Sequence, residues 1–258
     1  MAFDHSSNPA FSDKFFEDCA YGNDVMTVGG AVNKTFILMV IMFCSATFTW
    51  KMAMGADRLL IPTVLVGLIG GAIASFVTIF FKKISSITAP IYAILEGLTL
   101  GAISAMYEMP HQEIRDGVVV LVNGSGIVLN AIGITLGTMF AMLALYKTGV
   151  IKVTEKLRFG IVIATSGICL GYMFSLFAKI LGYGGMGFAS TATGIGISLV
   201  IAVVAALNFL LDFEQIEEGA RKKMPTYMEW YCAFGLMLTL VWLYLEILKL
   251  LSYFSKKD

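Results

Sequence analysis

The stretch MEWYCAFGLMLTLVWLYLEILKLLSYF, residues 228–254, decides the fold. It exceeds the roughly 20 mostly apolar residues that a helix needs to cross a bilayer. Its polar side chains are not scattered. Gly235, Thr239, Trp242, Glu246 and Lys249 step by four, three, four and three, so a helix carries them on one face. A polar stripe on an otherwise lipid-like helix belongs inside a bundle, as a pore lining or as a central helix wrapped by others. Glu246 and Lys249 can also pair with each other at i,i+3, which lessens the cost of taking either out of water.

Working outward, six more segments are long and apolar enough to span: 35–55, 59–81, 87–107, 125–146, 158–181 and 192–213, with 229–253 as the seventh. The runs are continuous rather than alternating, so spanning strands are excluded. Composition agrees. The chain is 58% hydrophobic and 14% charged, with a mean hydropathy of +0.82, whereas about a quarter of a soluble domain is charged. The expectation is an all-α integral membrane protein, one seven-helix domain over 34–254, with an acidic tail at 1–33 and a C-terminal tail at 255–258. A net charge of zero gives no reason to expect nucleic acid as a partner.

Small residues at four-residue spacing, Gly67 with Gly71 and Gly133 with Gly137, read as helix-packing sites. The acidic first thirty residues are the reverse of a basic leader region. With the N-terminus cytoplasmic, eleven lysines and arginines fall on the inner side, among them Lys34, Lys82, Lys83, Arg158, Arg221 and Lys222. Six fall outside. The bias sets the N-terminus inside.

Chemistry is sparse. Cys19, Cys44, Cys169 and Cys232 have no CxxC spacing and read as packing residues. His5 and His111 lie in polar stretches. HExxH, GxSxG and the motifs of intramembrane aspartyl proteases are absent from the sequence, so no enzyme is expected. GYGGMG at 182–187 reads as a turn, and VNGSG at 122–126 as a polar stretch at a membrane edge.

What stands out is acid inside oil. Glu96 sits in the middle of IYAILEGLTLGAIS, residues 91–104, with no lysine or arginine before Lys83 on one side and Arg115 on the other. An acid at the bilayer centre costs about 2.5–3.5 kcal/mol on insertion scales, so it faces a partner, water or the bundle interior. Asp212 ends the apolar run of the sixth segment, and Asn208 lies one turn earlier on the same face as a second oxygen ligand. Glu96 then reads either as a functional acid or as a hydrogen-bonded structural one, and Asp212 either as a site residue or as a solvated helix end.

Three stretches carry a resemblance: MTVGGAVNKT at 26–35, EGLTLGAISAMYE at 96–108 and the run from LNFLLDFEQIEEGARKK through LLSYF at 207–254. Together with GIVLNAIGITLGTMFAMLALYKTG at 126–149, they resemble the bacterial branch of the Bax-inhibitor family. The resemblance implies a compact bundle with six helices around a seventh, in a bacterial plasma membrane, and a pH-sensitive calcium leak. The family's sensing element is an aspartate pair on helices six and seven. Asp212 matches the first member. Thr239 falls where the second is expected, and Lys249 where a basic residue is common.

Two functions follow as expectations. The first is a cation pathway, calcium being the ion the resemblance implies, in which Asp212, Glu96 or Glu246 supplies charge. Asn208 and Thr239 would add neutral oxygens, Lys249 would pair or gate, and Asp212 with Glu96 would be the calcium ligands. Calcium takes six to eight oxygen ligands. Burial favours the neutral form of an acid, which makes such a site sensitive to pH. The second is a non-conducting regulator that binds another membrane protein, such as a membrane protease, through the tail or the charged run 212–223. Apart from the transported ion, no cofactor is expected.

Overall fold

The computed structural model describes residues 25–109, 111–115, 118–122, 126–182 and 192–255. Most of the acidic tail with His5 and Cys19, residues 123–125 of VNGSG and all of GYGGMG after Gly182 lie outside that range. Seven helices among the described residues are long and apolar enough to cross a membrane. They are α1 (Val28–Met54), α2 (Leu60–Phe80), α3 (Ser85–Glu108), α4 (Ile127–Lys147), α5 (Glu155–Ile180), α6 (Ala192–Arg221) and α7 (Tyr227–Ser255). A 3-10 turn, Lys82–Ile84, joins α2 to α3. A small antiparallel hairpin, β1 (His111–Arg115) with β2 (Val118–Val122), joins α3 to α4.

The helix ends follow local chemistry. Thr27 is extended, and its hydroxyl accepts from Gly30 N at 2.9 Å, starting α1 inside the range assigned to the tail. Thr154 caps α5 in the same way through Leu157 N at 3.2 Å. At the start of α4 an acid from another helix takes the part. The Glu108 carboxylate accepts from Gly126 N at 2.8 Å and Val128 N at 3.3 Å, placing negative charge at a helix N-terminus.

Helix α7 is the centre. Two-thirds of its spanning window is buried (67%), against 6% for α5. Helices α1, α3, α4 and α6 pack directly on it, while α2 lies outside on α3 and α5 outside on α6. The six-around-one arrangement is thus four helices in a first ring with two behind. One core joins Met228, Leu236, Leu240 and Leu248 of α7 to Phe209, Leu210 and Phe213 of α6 and Met139 of α4. A second joins Leu38, Tyr92, Phe234 and Met237, with Tyr92 edge-on to Phe234 at 4.9 Å. The long exposed rows of Ile, Leu, Val and Phe on α2 and α5 face what can only be lipid.

The glycines divide. Helices α1 and α3 meet backbone to backbone at Gly97 and Gly101. A Cβ on Gly97 would collide with Ser45 Oγ and the Met42 carbonyl, and one on Gly101 with the Ala46 carbonyl. Gly67 is also tight, though less so, with Thr99 Oγ1 at 2.7 Å from such an atom. Gly133 and Gly137, by contrast, would meet nothing within 4 Å, so the packing role assigned to them is not found. Cys44 and Cys169 are exposed, and only Cys232 is buried among the described cysteines.

One end of the bundle gathers the start of α1, the α2–α3 turn, the α4–α5 connection and the α6–α7 turn. Met26 N donates to Met224 O at 2.6 Å. Ser85 Oγ donates to Tyr227 O at 2.7 Å, and Tyr146 OH donates to Glu217 Oε2 at 2.5 Å. Arg158 pairs with Glu214 at 2.8 Å. This is the end where the lysine and arginine bias falls.

Candidate functional site

Helix α6 runs unbroken through the charged segment to Arg221, so Asp212 is not at its end. It lies nine residues before Arg221, about 14 Å down the axis. The residue is half-buried, but its Oδ2 is occluded and accepts no hydrogen bond. The Thr239 hydroxyl of α7 stands beside the carboxyl, and is also 3.4 Å from Gly235 O. One turn from Thr239 the surface of α7 is open, since a Cβ on Gly235 would meet no atom within 4 Å. The arrangement is an acid that the Thr239 hydroxyl reaches, with its other oxygen, Oδ2, occluded and without a donor, and free space alongside. An occluded carboxylate oxygen without a donor is costly unless it is protonated or meets a cation.

Asn208, one turn along α6, turns outward instead. Its Nδ2 donates to Thr165 Oγ1 of α5 at 2.9 Å and to Val204 O at 2.8 Å. The amide ties α5 to α6.

Glu246 is buried and paired with a base and a phenol. Tyr172 OH of α5 donates to its Oε1. Lys249 Nζ lies 3.0 Å from Oε1 and 2.8 Å from Oε2, and also 5.7 Å from the Tyr172 ring centroid. Acid, base and phenol close on one another, so the i,i+3 pair read from the sequence is present.

Glu96 is half-buried at the middle of α3 and turns to α2, where a Cβ on Gly71 would lie 3.2 Å from its Oε2. Glycine at 71 makes room for the carboxylate. The three acids therefore occupy three interfaces: Glu96 between α2 and α3, Asp212 between α6 and α7, and Glu246 between α5 and α7. Thr239 and Glu246, seven residues apart, are separated by about 10 Å along α7. Asp212 and Glu96 share no ligand position. No group of three His, Cys, Asp or Glu able to hold a metal is found among the described residues.

With this geometry in hand, the comparison with known families is decisive, because a model for Bax inhibitor 1 like proteins matches residues 8–256. The chain belongs to the Bax inhibitor 1-like family. No curated protein matches it. The family is a multi-span membrane family and not an enzyme family, in keeping with seven apolar helices and the missing catalytic motifs. Within the family frame, the residue opposite Asp212 is the one that the resemblance aligns with a second aspartate. In this chain it is Thr239.

The sequence alone did not single out Glu229. It is 4% exposed in the first turn of α7. It accepts from Thr27 N at 2.8 Å and Thr27 Oγ1 at 3.0 Å, and it pairs with Lys34 Nζ. Gly30 leaves the space it occupies. The carboxylate bolts the start of α1 to the start of α7, and Lys34 also lies 5.6 Å from the Trp230 ring. The signal was an acid and a lysine, each at the mouth of a span on the same side. Two hundred residues of intervening chain concealed the pairing.

Proposed function

We propose that this Bax inhibitor 1-like protein conducts a cation, calcium, through the α6–α7 interface, and that the charge of Asp212 sets the conductance. The observation that carries this reading is the occluded Oδ2 of Asp212, with no hydrogen-bond donor and the Thr239 hydroxyl beside it. An ionised carboxylate there attracts a cation, and a protonated one does not, so flux follows pH through a single acid. Thr239 contributes a neutral oxygen, and Gly235 leaves room for water to complete the ion's shell. Glu246 and Lys249 hold α5 against α7 and act as closure rather than as ligands. Glu96 is a structural acid of the α2–α3 contact.

The test is calcium entry into dye-loaded proteoliposomes across a pH series. Asp212→Asn is expected to lower flux at least tenfold and to flatten its pH dependence, while Glu96→Gln keeps both. Thr239→Asp restores a second acid and is expected to shift the pH midpoint and tighten divalent binding. Wild-type flux and pH response in Asp212→Asn would overturn the proposal.

The regulator reading, with the charged run 212–223 as a contact surface, is the alternative, and the partners of three acids in that run weigh against it. The charged run 212–223 is helical to Arg221, and beyond Asp212 its acids have partners within the chain: Glu214 pairs with Arg158, Glu217 accepts from Tyr146 and Glu218 pairs with Lys222.

A further inference from the structure

A serine or threonine buried in a helix can satisfy its hydroxyl on a carbonyl of its own helix one turn back. Thr35, Thr135 and Ser252 do so in this bundle, at 2.9, 2.7 and 2.7 Å. Ser85 reaches Tyr227 O instead, and Ser104 shares a 2.6 Å bond with Tyr244. Ser198 of α6 does neither. It is 1% exposed, and among the described residues it is the one buried serine or threonine whose hydroxyl has no hydrogen-bond partner. Such an orphan costs about 1–3 kcal/mol, and a polar group left so in a core marks a place for water or an ion.

Its position ties it to Asp212. The buried side-chain atoms without a hydrogen-bond partner among the described residues are Ser198 Oγ, Asp212 Oδ2 and Glu246 Oε2, and Lys249 Nζ stands 2.8 Å from the last. The other two belong to one face of one helix. From Ser198 to Asp212 is fourteen residues, nearly four whole turns and about 21 Å along the axis. Ala202, Ala205 and Phe209 lie between them on that face, all buried in the core that α7 and α4 complete. The two alanines leave the face nearly bare of side chain. Phe209, fully buried and stacked on Phe213 at 6.1 Å, is the bulky group between the two oxygens. The hydrocarbon layer is about 30 Å thick, so a separation of about 21 Å covers some two-thirds of it.

We propose that Ser198 is a second oxygen station of the cation path, toward the Ala192 end of α6 from the station made by Asp212 and Thr239. The assignment rests on the conduction reading given above and extends it along α6. A neutral hydroxyl with uncommitted lone pairs is a ligand of the kind calcium takes, directly or through the water that travels with the ion. Phe209 stands between the stations as an apolar barrier. Because the Ser198 hydroxyl carries no charge to titrate, it sets how fast ions pass and not the pH at which they do.

The test joins calcium flux into dye-loaded proteoliposomes with thiol labelling. Ser198→Ala is expected to lower flux severalfold and to keep the wild-type pH midpoint. It should melt no lower than the wild type, since the hydroxyl it removes bonds to no other group of the protein. Ser198→Cys is expected to react with a charged, water-soluble methanethiosulfonate, while the native Cys169, exposed on lipid-facing α5, stays unlabelled; peptide masses tell the two sites apart. Wild-type flux in Ser198→Ala, or a thiol in Ser198→Cys no more reactive than Cys169, would overturn this assignment and leave the role of Asp212 standing. A wild type that passes no calcium would overturn the conduction reading, and this assignment with it.

Discussion

At the scale of single residues, the chain places its buried charges in three different states of compensation. Glu229 is satisfied by a lysine, a backbone N–H and a hydroxyl. Glu246 is satisfied by Lys249 and Tyr172. Asp212 keeps an occluded oxygen without a hydrogen-bond donor; the Oε2 of Glu246 also lacks one, but Lys249 Nζ stands 2.8 Å from it. The first two are therefore built for stability, and the third is the acid on which the proposed conduction rests. Breaking a buried ion pair from one side costs about 3–5 kcal/mol, because the remaining charge is left uncompensated. The side chain of Lys34 retains 16% exposure, which softens the loss. Glu229→Ala is expected to cost about 2–3 kcal/mol on that basis, read as a lowered midpoint of thermal unfolding in detergent. Replacing both Lys34 and Glu229 by leucine should recover much of it. A double variant no better than Glu229→Ala would show that the Thr27 bonds, not the ion pair, hold the α1–α7 corner.

At the scale of helices, packing is decided by where side chains are absent. In lipid no hydrophobic force draws two apolar helices together, so close backbone approach and polar hooks must do so. Helices α1 and α3 use Gly97 and Gly101; α2 and α3 use Gly67 and Gly71. Gly133 and Gly137 have the same spacing on α4 but open surroundings. Gly101→Val forces a branched side chain into the Ala46 carbonyl and is expected to cost about 3 kcal/mol or more, in the upper range of overpacking. Gly133→Val should stay within about 0.5 kcal/mol, as for a surface position. Denaturant titration of the two variants side by side checks the contrast, and equal losses would contradict the assignment of faces.

At the scale of the whole molecule, the bundle is layered around α7, and its outermost helix is held by polar hooks. Helix α5 meets its neighbours through Arg158 to Glu214, Thr165 to Asn208 and Tyr172 to Glu246, spaced seven residues apart along one face. Ile161 is its one fully buried residue. A helix with so little buried area opens before the core does. Hydrogen exchange in detergent is expected to be faster along α5 than along α7, and Tyr172→Phe should widen the difference severalfold; equal protection of the two helices would refute the layering. Much of this architecture is written locally. Seven apolar runs, each long enough to cross a bilayer, require helices, because an unpaired backbone in hydrocarbon is too costly. The stripe Gly235, Thr239, Trp242, Glu246 and Lys249 already marked the last helix as the inner one, and three and four residue steps already paired Glu246 with Lys249. Local pattern could not say which side of α3 Glu96 would take, that Gly97 and Gly101 rather than Gly133 and Gly137 carry a helix contact, or that Glu229 would find Lys34. Helical periodicity fixes which residues share a face, but the rotation of each face toward a neighbour depends on every other helix in the bundle. Only the packed tertiary structure made that choice, and with it left Asp212 facing Thr239 and no second acid.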